Sequence, residues 1–272
     1  MLFRSIINYF LKENVKNEVI LEIFDAKGTS VRRFSSNDKP YEIPAVNIPL
    51  YWIRPQQILS AESGAHRFVW DLHYAPLNVP PRYPIAAVYQ NTAPDPTSPW
   101  VLTGNYNVKL TVNGKTYTQP LTVKGDPRVK TSAADLKIIH DLSVQSYNGI
   151  KEAMTALTEI ETLKKQVKTL ISQSKEPLTN ALTAFEKQLS KFEITAQGSS
   201  ESSFTRLEMA LSSVFNILHD TDMPPTSQTI SATNSNVAKL KALSAQWKSF
   251  KTKELKAMNE QLQNAKMKVL SW

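Results

Sequence analysis

The chain has 272 residues, 41% of them hydrophobic and 21% charged, which suffices for two domains each with a core and excludes a wholly disordered protein. Its 32 Lys and Arg against 24 Asp and Glu give a formal net charge of +8. The basic residues are spread along the whole length, and the densest group (Lys248, Lys251, Lys253, Lys256) is interleaved with helix-spaced apolar residues, so a nucleic-acid partner is not expected. The absence of cysteine removes disulfides, thiolate metal sites and cysteine nucleophiles.

The opening MLFRSIINYFL carries a short apolar run interrupted by Asn8 and Tyr9, with no small-residue cleavage site after it. A strand leading into a domain fits it better than a signal peptide. MLFRS is also what a common sequencing adapter encodes, so a fragment of a longer protein is expected. Residues 1–16 read as a linker remnant with that leading strand. No apolar run approaches the roughly 20 residues that span a bilayer, and no membrane span is expected.

From about residue 17 to residue 127 the apolar period is two, the signature of strands with one buried face. Val19, Leu21 and Ile23 share a face, DAKG supplies a turn, and SVRRFSS returns, which predicts a hairpin. Tyr106, Val108, Leu110 and Val112 repeat the alternation, and Asn113-Gly114 is the strongest short hairpin signal in the chain. Several short strands with turn signals predict an immunoglobulin-like β-sandwich over residues 17–127. Inside it lies a proline-rich loop, residues 74–103, where Pro76, Pro80, Pro81, Pro84, Pro94, Pro96 and Pro99 rule out a central strand.

After DPRVKTSAADL the period becomes 3.6. A first long helix is expected with Thr131 or Ser132 as cap, Asp135 in its first turn, and a stripe from Leu136 to Leu170. A second carries Leu178 to Phe192, QGSSESS breaks it, and a third runs from Phe204 to Leu218. Pro224-Pro225 is the next breaker, with Thr226 or Ser227 as cap before a last helical region from Val237 to Val269. Residues 128–272 are therefore predicted to form an all-α antiparallel helical bundle.

The busiest stretch for chemistry is GAHRFVWDLHY, residues 64–74. On a strand, His66, Phe68, Trp70 and Leu72 face one way, while Arg67, Val69, Asp71 and His73 face the other. Two histidines on opposite faces do not converge on a metal, so the stretch reads as structural. No G-x-S-x-G nucleophile elbow is present, the 7 glycines form no phosphate loop, and Glu18, Glu22, Asp25 and Asp71 carry no mark of a paired-carboxylate site. His140 on the first helix reads as a core or boundary residue, and His219 as a cation favoured at a helix C-terminus. No catalytic, cofactor or metal residue is predicted. Tyr51, Trp52, Tyr83, Tyr89 and Trp100 flank and fill the proline-rich loop and are the candidate interaction surface, for protein docking or for stacking on polysaccharide.

The blocks EVILEIFDAKGTSVRRFSS, GAHRFVWDLHY and YPIAAVYQNTAPDPTSPWVLTGNYNVKLTVNGKTYTQPLTVKGDPRVKTSAADL, followed by helices with PPTSQ and QWKSF, resemble the C-terminal region of bacterial sortilin-like, BNR-repeat β-propeller proteins. Those are commonly labelled glycosyl hydrolases. The first block also resembles the immunoglobulin-like domain of the flagellar hook-capping protein. The resemblance implies a non-catalytic accessory module of an extracytoplasmic protein, periplasmic, secreted or at the cell surface, whose propeller lies upstream as its first partner. Two alternatives go with it: part of a carbohydrate-active hydrolase with its catalytic propeller upstream, or a free-standing adhesion module.

Overall fold

A computed structural model describes residues 4–46, 48–84, 88–194 and 202–272. The chain divides into two compact units, residues 1–140 and 141–272. The described residues form two antiparallel sheets, of two and four strands, and four α-helices.

In the first unit β1 (Ser5–Leu11) pairs along its whole length with β4 (Gly64–Trp70), from Ser5 opposite Trp70 to Leu11 opposite Gly64. The second sheet has the order β3-β2-β5-β6, with β2 (Ile20–Asp25), β3 (Ser30–Ser35), β5 (Gly104–Val112) and β6 (Lys115–Val123). Both expected hairpins form. In the first turn, Asp25 Oδ1 accepts from the backbone N–H of Lys27 (2.9 Å) and Thr29 (2.8 Å), and Gly28 takes φ +81°. In the second, Asn113 (φ +49°) and Gly114 (φ +76°) both occupy the left-handed region that a two-residue hairpin turn requires. Pro120, which has no N–H to give, lies on the edge strand β6, where its missing donor costs no ladder bond.

Residues from both sheets meet in one core: Val19, Leu21 and Ile23 on one face, Phe68 and Trp70 opposite them in the other sheet, with Tyr106 and Val108. Phe34 meets Phe68 edge-on at 4.6 Å between centroids, and Trp70 meets Tyr106 likewise at 5.9 Å. Such contacts add to the area term that burial supplies. On the outer face, Lys109 sits opposite Glu22 in register and pairs with it at 3.1 Å.

The helices are α1 (Ala133–Gln173), α2 (Leu178–Glu193), α3 (Phe204–His219) and α4 (Ser227–Asn264). Ser132 Oγ accepts from Asp135 N–H at 3.1 Å ahead of α1, Ser203 caps α3 and Thr226 caps α4. Of the expected QGSSESS break, residues 197–201 lie outside the described residues. The second unit is held by the buried stripes of all four helices and by a ring cluster of Phe185, Phe192, Phe204, Trp247 and Phe250.

Two readings of the sequence are corrected. Helix α4 ends at Asn264, short of Val269: Lys266 turns left-handed (φ +55°), and Leu270, not Val269, is the buried residue beyond it. His73 is buried, not on the outer face with Arg67, because β4 ends at Trp70 and Leu72 takes φ +61°, which breaks the period of two.

Candidate docking surface

Two irregular segments of the first unit are stapled together, and their tips carry the exposed aromatics. Pro49, at φ −59°, leads into a single 3₁₀ turn, Leu50–Trp52, closed by Trp52 N–H to Pro49 O at 2.9 Å and Ile53 N–H to Leu50 O at 3.1 Å. Ile53, 6% exposed, anchors the turn and bridges to Thr92. From the other segment, Asn91 N–H closes a turn onto Val88 O at 3.0 Å, with Gln90 left-handed. Thr92, buried, holds that turn through Val88 N–H to its Oγ1 (2.7 Å) and its hydroxyl to Val88 O (2.9 Å).

Backbone bonds join the two: Arg54 N–H to Thr92 O at 2.8 Å and Thr92 N–H to Trp52 O at 3.2 Å. The Arg54 guanidinium adds a fork onto Asn91, Nη2 donating to Oδ1 at 2.8 Å and to the backbone O at 3.0 Å. The result is a fixed platform from irregular chain, in which rigidity comes from hydrogen bonds and not from a regular ladder.

Leu50 and Tyr51 are 63% and 65% exposed at one tip, and Val88 and Tyr89 are each 60% exposed at the other. The rings of Tyr51 and Tyr89 lie 6.2 Å apart, tilted by 60°. Trp52 is half-buried beneath the turn. Tyr83 is half-buried and donates to Tyr41 Oη at 3.3 Å. Burial, and then that hydrogen bond, push its phenol above the ordinary value, so it stays neutral.

Trp100 takes other partners. Its ring lies 3.8 Å from that of His73, and the pair forms a bridge flanked by Tyr74 N–H to Pro99 O (3.1 Å) and Val101 N–H to Leu72 O (2.9 Å). This ladder closes the base of the 74–103 loop. Of the five predicted surface residues, Tyr51 and Tyr89 come together, Trp52 is half-buried in the same turn as Tyr51, Tyr83 bonds to Tyr41, and Trp100 packs on His73. Leu50 and Val88 belong to the patch and were not predicted; two apolar residues beside aromatics in proline-bounded turns were the signal for them.

The residues weighed for chemistry are dispersed. His66 Nε2 lies 2.7 Å from Glu62 O with its ring 4.9 Å from Tyr9, His73 Nδ1 lies 2.9 Å from Asp71 O, and His140 Nε2 lies 3.3 Å from Tyr74 Oη. Among the described residues no group of three or more His, Asp and Glu is placed to hold a metal ion, and no helix is long and apolar enough to cross a membrane. His219 is corrected: burial is the largest influence on it and pushes its imidazole toward the neutral form, while Asp220, at 3.7 Å, opposes this and loses. The chain matches no protein-family model and no curated protein.

Proposed function

We propose that the chain is a non-catalytic docking module, an immunoglobulin-like sandwich of the hook-capping type followed by an antiparallel helical bundle. The wider context is that of the sequence resemblance: an accessory unit of an extracytoplasmic sortilin-like, BNR-repeat protein, whose partner is the upstream propeller. The shared core of the two sheets supports the sandwich reading. So does Tyr106, near the start of β5, whose hydroxyl donates to Leu102 O at 2.7 Å, as in the tyrosine corner of such domains.

The observation that carries docking is the Tyr51–Tyr89 pair on its stapled platform. Tyrosines carried on a stapled backbone leave little main chain to order on contact, and the aliphatic neighbours Leu50 and Val88 favour a protein surface over a sugar ring. Reading the coding sequence upstream of Met1 tests the context: propeller repeats support it, and an unrelated sequence overturns it. For docking, Tyr51→Ala with Tyr89→Ala is expected to abolish association with the separately expressed propeller. Retained association, or capture by polysaccharide instead, overturns the assignment.

A further inference from the structure

Beyond the end of α4 the second unit carries a non-helical segment. After the left-handed Lys266, Met267 N–H returns to Leu262 O at 2.9 Å, and Leu270 and Ser271 are held against α4 and α1 by side-chain amides. Asn259 on α4 clamps Leu270 at two points: Nδ2 donates to Leu270 O at 3.0 Å, and Leu270 N–H donates to Oδ1 at 2.8 Å. Gln166 on α1 clamps Ser271 in the same way, Nε2 donating to the backbone O at 2.6 Å and Oε1 accepting from N–H at 3.1 Å.

Each amide satisfies both polar groups of one backbone residue, as a neighbouring strand would. Successive residues of an extended chain present those groups to opposite sides, so clamping from two different helices matches that alternation. Such recognition reads the main chain and leaves the sequence free, except where a side chain is enclosed. Leu270 is enclosed, at 2% exposure. Two residues on, the Trp272 ring lies 4.9 Å from Lys251 Nζ, which also stands 5.5 Å from the Trp247 ring and is fixed by Glu159 at 2.7 Å.

We propose that α1 and α4 form a docking site for an extended segment of a partner protein carrying an aliphatic residue, any residue, then an aromatic one. Residues 267–272 occupy it in cis as a competing strap. The strap is built to leave: Leu270 is its one buried residue, while Lys268, Val269, Ser271 and Trp272 are exposed. Opening it therefore uncovers far less apolar surface than unfolding a helix. It also releases Lys266 from a left-handed conformation that a side chain rarely adopts.

The test uses a fluorescein-labelled peptide of sequence MKVLSW and the full chain carrying Leu270→Asp, which vacates the site. Saturable binding is expected there, at least tenfold weaker in the wild-type chain whose own strap competes, and at least tenfold weaker again when Gln166→Ala and Asn259→Ala are added to Leu270→Asp. A Leu270→Asp chain that keeps its helical circular dichroism and takes up no peptide overturns the proposal. Should that variant fail to fold, native-state hydrogen exchange on the wild type decides: Leu270 and Ser271 amides exchanging at rates unmoved by low urea support an opening strap, and exchange only with global unfolding overturns it. Concentration-dependent dimers lost in the amide variants would overturn the partner protein in favour of a second copy.

Discussion

The indole Nε1–H of Trp70 donates to the backbone carbonyl of His73 at 3.0 Å, across the left-handed Leu72 where strand β4 gives way to the proline-rich loop. Trp70 is fully buried, so one side chain both fills the core of the first unit and fixes the path by which the chain leaves it. Trp70→Phe removes the donor and leaves a partial cavity, and should lower the stability of the unit by about 2–4 kcal/mol. Urea denaturation checks this as a fall in midpoint at unchanged m-value. A shift worth less than about 0.5 kcal/mol would show that the bond is incidental.

The docking residues should behave in the opposite manner. Tyr51 and Tyr89 are 65% and 60% exposed, so replacing both with alanine should change stability by no more than about 0.5 kcal/mol per site. Tyr117, 57% exposed on β6, supplies the control: Tyr117→Ala should be as neutral for stability and should leave association intact. Surface plasmon resonance with the double variant and with Tyr117→Ala separates a specific patch from general surface hydrophobicity, and equal losses for Tyr117→Ala would remove the case for the patch.

What the sequence disclosed, it disclosed through local physics. The Asn113-Gly114 turn was legible because both residues tolerate positive φ, and the helix stripes because a period of 3.6 needs no partner to be seen. The β1–β4 pairing was hidden, since Ser5 and Trp70 are distant in the chain and register across such a span leaves no local mark. His73 was misplaced for a related reason: one left-handed residue, Leu72, cancels an alternation that otherwise continues on paper. Val269 imitated a helical position because its spacing of seven from Leu262 preserves the stripe after the helix has stopped. The platform of Tyr51 and Tyr89 was legible only as a list of aromatics, because side-chain staples such as Arg54 to Asn91 have no period.

His219 gives a pH dependence whose sign follows from burial. Its folded-state pKa lies below the ordinary value of 6.5, so in the window below 6.5 the unfolded chain takes up a proton that the folded chain refuses. Stability should therefore fall on acidification from neutral pH through 6.5, and the loss should stop once the depressed folded-state value is passed. Thermal melts of the wild type and His219→Phe between pH 8 and 5 check this. The wild type should lose more of its Tm over that range, and parallel curves would mean that the imidazole titrates as in water.

Gly149 tests how closely the helices must approach. It lies within α1, and a Cβ built there would stand 2.7 Å from Leu211 Cδ1 on α3 and 3.2 Å from Leu240 Cδ2 on α4. Those leucines are 0% and 2% exposed, so neither methyl can swing into solvent to make room. Two effects compete on substitution. Alanine gains about 1 kcal/mol of helix propensity over glycine, while overpacking a closed core costs about 1–3 kcal/mol. Gly149→Ala should therefore lie between the stability of the wild type and a loss of about 2 kcal/mol. Gly149→Val adds two further methyl groups and gives back part of the propensity gain, and should lose about 2–3 kcal/mol. Leu211→Ala placed in the Gly149→Val background should recover part of that loss, because the truncated side chain vacates the space the valine needs. Chemical denaturation of the four proteins checks the order, and a Gly149→Val chain as stable as the wild type would mean that α3 and α4 do not close onto α1 at this glycine.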